Sequence, residues 1–226
     1  MRLLPLLLTC LAVPGVYGAQ APSPSVEKLG PGLLRIQNVR IDTNKREVSV
    51  PGKVNSEMAE GTILEFIANG SGGGKSYETA LGLDTDAVTL NTALLLIGLD
   101  PKNARVPTMH FDPVPPAGDP VELWVEWTEG RNTRRVRVEE LLYDKRTRKT
   151  MPPGPWVYTG STFFEGRFLA TLEGVLIGFV HSPSPLIENP SAGAVGAFGS
   201  VVFNTRLGLT GGSPITLTVR ATGAKK

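Results

Sequence analysis

The sequence predicts an α+β fold in which β structure dominates: a single domain of about nine or ten mainly antiparallel strands with one buried helix at about 86–98. Three observations lead there. Apolar and polar residues alternate along many short stretches, as in Val121-Glu122-Leu123-Trp124-Val125-Glu126-Trp127, the pattern of a half-buried strand. Turn formers are abundant, with 26 Gly and 19 Pro in 226 residues, so the strands must be short and often interrupted. Hydrophobic residues make up 41% and charged residues 19%. That balance supports a packed core and excludes a disordered chain or a coiled coil.

The chain opens on an address. Met1-Arg2 is a short basic start, Leu3 to Val13 is largely apolar, and small residues follow at Gly15, Gly18 and Ala19. This is the pattern of a secretory signal peptide over residues 1–18. Leu7-Leu8-Thr9-Cys10 resembles a bacterial lipobox, so a lipid anchor on Cys10 is the lesser alternative. Residues 19–32 read as a Pro/Ser-rich tether, and the folded domain spans 33–222. The longest later apolar stretch, Ala93 to Leu99, is far shorter than the roughly 20 residues of a membrane span. The sequence therefore predicts an exported, periplasmic or extracellular protein without a transmembrane segment.

Within the domain, Val39–Asp42 and Glu47–Val50 alternate on either side of Thr43-Asn44-Lys45 and predict a hairpin. Thr62–Ala68 predicts a third strand and Lys75–Leu83, beyond a glycine-rich loop, a fourth. Asp84 or Asp86 caps the helix, which Gly98 and Pro101 end. Its apolar residues at Val88, Leu90, Leu94, Leu95 and Ile97 leave little polar face, hence a buried helix. Residues 101–120 are proline-dense and predict an irregular excursion. Val121–Trp127 and Thr133–Val138 form the clearest hairpin, around Glu129-Gly130-Arg131-Asn132, and Val138–Tyr143 suggests a helical turn. Strands are expected at Trp156–Thr159, Arg167–Glu173, Val175–His181, Ser200–Asn204 and Pro214–Ala221.

Several chemistries are excluded. The formal charge is +2, from 23 Lys+Arg against 21 Asp+Glu, which gives no general attraction to nucleic acid or an anionic membrane. Asn69-Gly70-Ser71-Gly72-Gly73-Gly74-Lys75-Ser76 superficially resembles a phosphate-binding loop. It has Asn69 where that loop needs glycine, and Lys75 leads into a strand-like stretch rather than a helix, so no nucleotide is expected. Asn69-Gly70-Ser71 also matches a glycosylation sequon, relevant only to a eukaryotic secretory route. Eight Lys or Arg lie between Arg131 and Lys149. Alternation with Val136 and Val138, and acids at Glu122, Glu126 and Glu129 across the hairpin, make these a charged outer face. His110 and His181 have no partner at zinc-ligand spacing. No EF-hand loop or Gly-x-Ser-x-Gly elbow occurs.

Several stretches taken in order resemble the YdjY-like domain family of exported bacterial proteins. They are Val39-Arg40-Ile41-Asp42, Arg46 to Val54, Gly74-Lys75-Ser76-Tyr77-Glu78-Thr79-Ala80-Leu81, Ala93 to Leu99, Trp156-Val157-Tyr158-Thr159-Gly160-Ser161, Glu173-Gly174 and Asn204. The resemblance implies an exported domain rather than an activity. Members usually carry His before the Glu, where this chain has Tyr77. Some relatives are labelled ferredoxin-type, but a cluster needs typically four thiolates. Cys10 in the leader is the single cysteine, so no iron–sulfur cluster is expected and no cofactor is assigned.

The candidate ligand-binding residues are Lys75, Tyr77, Glu78, Gly160, Ser161 and Asn204. A Lys75–Glu78 pair would keep the carboxylate ionised, and Trp156 is expected in the core. The leading expectation is a non-enzymatic binding module of the bacterial cell envelope, with an unknown envelope protein or ligand as partner. The alternative is a hydrolase-like envelope enzyme with Glu78 as general acid or base and Ser161 nearby. N-terminal sequencing of the native protein should begin at or near Ala19. An intact Met1 would remove the assignment of export.

Overall fold

The computed structural model describes residues 25–58, 60–191 and 199–224; the expected leader, including Cys10, lies outside them. Among the described residues, seventeen short strands form, separated by turns, two helices and four 3-10 turns. β1 (Val26–Gly30), β2 (Leu33–Ile36), β3 (Val39–Asp42) and β4 (Glu47–Val54) make an antiparallel meander. β5 (Phe66–Asn69) and β6 (Thr79–Leu83) run parallel to one another. β7 (Asp119–Glu129) and β8 (Asn132–Arg137) are the long hairpin, and β9 (Leu142–Asp144) and β10 (Lys149–Thr150) a small one. β11 (Trp156–Tyr158), β12 (Phe163–Phe164), β13 (Arg167–Phe168), β14 (Val175–Gly178), β15 (Ile187–Glu188), β16 (Val201–Phe203) and β17 (Pro214–Ala221) complete the set.

Eight of these close a barrel in the order β4-β17-β7-β11-β15-β14-β5-β6, with β6 returning to β4. All neighbours are antiparallel except β14–β15 and β5–β6. The period-two pattern explains the interior. Leu217 sits between Val50 and Val125, and Val219 between Val48 and Leu123. All six side chains are buried, as is Trp156 opposite Val121. Thr216, Thr218 and Arg220 alternate with them on the more exposed side. The β1–β3 meander extends from β4, and β8 extends from β7.

The predicted β-dominated α+β class is the class observed, with corrections inside it. The helix, α1 (Ala87–Leu96), is capped by Asp86, whose carboxylate accepts from Thr89 N at 2.9 Å. It is buried on one face only: Ala87, Leu90, Ala93 and Leu94 pack inward, while Val88, Leu95 and Leu96 are exposed. Arg167–Glu173 is not one strand. β13 covers its first two residues and a short helix, α2 (Leu169–Glu173), the rest. The strand expected from Lys75 starts only at Thr79, because Ser76–Glu78 forms a 3-10 turn. β1 lies within the stretch expected as tether. No helix among the described residues is long and apolar enough to cross a membrane.

The basic hairpin is neutralised as its alternation suggested. Arg137 reaches Glu122 at 3.0 Å and Arg134 reaches Glu129 at 3.3 Å, while Arg134 stacks over Trp127 and Arg135 over Trp124, each 5.0 Å from the ring centre. Asp86→Ala removes the cap of α1 and should lower stability by about 1 kcal/mol, read as a Tm drop of a few degrees with an unchanged strand signal in circular dichroism.

Candidate functional site

The glycine-rich loop has a packing role. Gly174 ends α2 with φ +70, and a Cβ on it would lie 2.4 Å from Gly73 Cα. Gly70 N donates to Gly174 O at 2.9 Å. Backbone therefore lies on backbone, an approach that only glycine allows. This contact brings Glu173 beside Lys75: Nζ lies 3.1 Å from Glu173 Oε2, with both side chains about one-third exposed. Lys75 also sits 5.0 Å from the centre of the Phe66 ring. The expected Lys75–Glu78 pair is thus replaced by Lys75–Glu173.

Glu78 ends the 3-10 turn, and its carbonyl accepts from Glu65 N at 3.0 Å. Phe179 N and Val180 N both donate to Glu65 O, so Glu65 is fixed by the barrel edge where β5 begins. The third component comes from the proline-dense excursion: His110 Nε2 lies 3.1 Å from Glu65 Oε2. The His110 ring also stands 4.0 Å from that of Phe111 and 6.5 Å from that of Phe66. Segments far apart in sequence so bring two carboxylates, an imidazole and an ammonium together around Phe66.

The electrostatics oppose the sequence expectation that Glu78 stays readily ionised. Burial pushes its carboxyl above the ordinary glutamate value, and the neighbouring Glu65 carboxylate adds to the rise. Lys75, His110 and a hydrogen bond with Tyr77 pull the other way without cancelling it. Two close carboxylates separate in this manner because both cannot ionise cheaply. Glu78 is a half-buried acid facing a second one. Tyr77 beside it is 59% exposed, and Met109 beside His110 is 58% exposed.

Of the six sequence candidates, Lys75, Tyr77 and Glu78 share this turn, whereas the other three bond elsewhere. Ser161, at φ +61, donates to Pro183 O at 3.4 Å. Gly160, at φ +77, packs on Pro101, where a Cβ would fall 2.7 Å from Pro101 Cβ. Asn204 caps a 3-10 turn and donates to Glu140 O at 2.8 Å, joining the end of β16 to the 3-10 turn Val138–Leu141 that precedes β9. Glu65, His110 and Glu173 carried no sequence signal for this site. An imidazole is nevertheless present, supplied by His110 rather than by residue 77.

A second acid was also missed. Glu188 on β15 is fully buried; its Oε1 accepts from Ser182 N at 3.2 Å, and its Oε2 has no partner among the described residues. Burial pushes its carboxyl well above the usual range. Among the described residues, no group of three or more His, Cys, Asp or Glu is placed to hold a metal ion.

The sequence profile of the YdjY domain matches residues 39–220. The chain belongs to the YdjY domain family. No curated protein and no solved structure matches it. The match runs from β3 to the penultimate residue of β17 and so takes in the whole closed barrel and the candidate site.

Glu188→Gln removes a group whose ionised form the fold disfavours. Its raised carboxyl costs nothing at low pH, where folded and unfolded chains are both protonated. It costs progressively more as pH rises above the unfolded glutamate value. The substitution should raise Tm by a few degrees at pH 8, with the gain shrinking toward pH 4. An equal change at both values would contradict this assignment.

Proposed function

We propose that this YdjY domain is an exported, non-enzymatic binding module of the bacterial cell envelope, and that it recognises a cationic, ammonium-bearing ligand at the Glu65–Glu78 pair. The observation that carries this reading is the half-buried Glu78 carboxyl beside Glu65, with the exposed Tyr77 next to it in the chain. Lys75 is engaged by Glu173, and His110 engages Glu65. The acid left facing solvent is Glu78. A cation approaching it relieves the repulsion between the crowded carboxylates, and the exposed Tyr77 ring offers apolar surface to an aliphatic stem. The leader pattern and the family resemblance support export.

A second reading has one specific observation behind it. Glu78, its carboxyl raised by burial, beside a carboxylate–imidazole pair at 3.1 Å has the parts of general acid/base catalysis. A pH–rate profile losing one limb in Glu78→Gln would favour it.

The binding reading is tested with a lysine-rich oligopeptide as probe, titrated by NMR. Binding should weaken as pH falls through the titration of Glu78, because the neutral acid no longer attracts the ammonium. Glu78→Gln should weaken it about tenfold, the effect of about 1.4 kcal/mol, with stability within about 0.5 kcal/mol of the parent. Unchanged affinity in a folded Glu78→Gln protein overturns the proposal.

A further inference from the structure

His110 belongs to an arm, residues 101–118, that is knitted to itself. Asp112 accepts from Thr108 N at 2.8 Å and Val114 N at 2.9 Å, and the Arg105 Nε donates to Pro115 O. Arg105 and Ala117 form a β-bridge. Such an arm moves as a unit, so the position of His110 depends on how the unit is fastened to the barrel.

His181 supplies a fastening. It lies just beyond β14 with no exposed surface. Its carbonyl accepts from Phe111 N at 2.9 Å, and its Nδ1 lies 2.8 Å from Asp112 O. Two successive arm residues are clasped by one buried side chain and its own backbone. Nε2 lies 3.2 Å from Asn189 O, so the same ring spans from the arm to the end of β15. The arm residue in the clasp is unusual: Phe111 adopts φ +59, a conformation that a bulky side chain holds only when its surroundings impose it. That turn sets the Phe111 ring against His110 and leaves His110 facing Glu65.

We propose that His181 is a positioning residue whose clasp on Phe111 and Asp112 holds His110 against the Glu65–Glu78 pair, so that the geometry of the site depends on a histidine buried behind it. The effect on ligand binding rests on the function proposed above; the effect on the geometry of the pair does not.

The test follows the Glu78 side chain by carbon-13 NMR titration in three proteins: parent, His110→Ala and His181→Gln. Both variants should raise the Glu78 midpoint, since each removes the imidazole that lowers it, and the double variant should add no further rise. A merely structural His181 would lower Tm and leave the midpoint unmoved. A folded His181→Gln with the parent's midpoint overturns the proposal, as does an unmoved midpoint in His110→Ala. Should His181→Gln not fold, hydrogen exchange in the parent decides. The Phe111 amide should be protected about a hundredfold or more over an open loop, and loop-like exchange overturns the clasp. Oligopeptide affinity measured on the same proteins separates the two ideas. Shifted midpoints with unchanged affinity defeat the binding role alone, and a parent-like midpoint in His181→Gln defeats the clasp alone.

Discussion

β4 serves three neighbours along two edges, and closure of the barrel depends on how it does so. One edge is taken by β17 from Glu47 to Lys53. The other is divided: Glu47–Ser49 pair with β3, and Gly52–Val54 with β6. Pro51 stands at the handover and offers no N–H to either neighbour. A Cβ on Gly52 would lie 2.5 Å from Gly82 O, so β6 can approach only because residue 52 is glycine. Without that approach the sheet would stay open, and β5 would lose the neighbour that sets its register. Glu65 and Glu78, at the starts of β5 and β6, owe their proximity to this closure.

The site is built on the rigid barrel from parts that are not regular strands. A glycine loop, a 3-10 turn, the end of a short helix and a proline-dense arm each contribute one titratable group. Such segments can place side chains that a pleated strand cannot, since they are free of strict alternation. Their precision comes from backbone contacts: Gly70 and Gly73 against Gly174, Glu65 N on Glu78 O, Phe111 N on His181 O. The cost is strain at Phe111, offset by the clasp around it.

Two fully buried glutamates show opposite solutions to the same problem. Glu139 is satisfied by Arg137, which bonds both of its oxygens, and by Gly154 N at 3.1 Å. It is a structural ion pair, costly to halve. Glu188 has one amide donor and, among the described residues, an unpartnered oxygen, so burial pushes its carboxyl well above the usual range instead. Only the first has a cation nearby in sequence, two residues away. Neither burial could be inferred from the local alternation around it.

By itself the sequence determined the β-dominated class, the two main hairpins, the capped helix and the place of Lys75, Tyr77 and Glu78 after the glycine loop. These follow from alternation, capping and turn chemistry, which act over a few residues and are written locally. Where local rules misled, tertiary contacts had prevailed. α1 looked buried all round because its apolar residues fill every face, yet Val88, Leu95 and Leu96 stay exposed and only one face is covered. Ser76–Glu78 looked like strand, yet the junction between β5 and β6 bends it into a turn. The surroundings of Glu78 were decided by the tertiary structure alone, because Glu65 and His110 reach it, and Glu173 reaches Lys75, only after the barrel closes and the arm docks. Long-range register leaves no periodic trace in a chain, so chemistry assembled by it cannot be read from residue spacing.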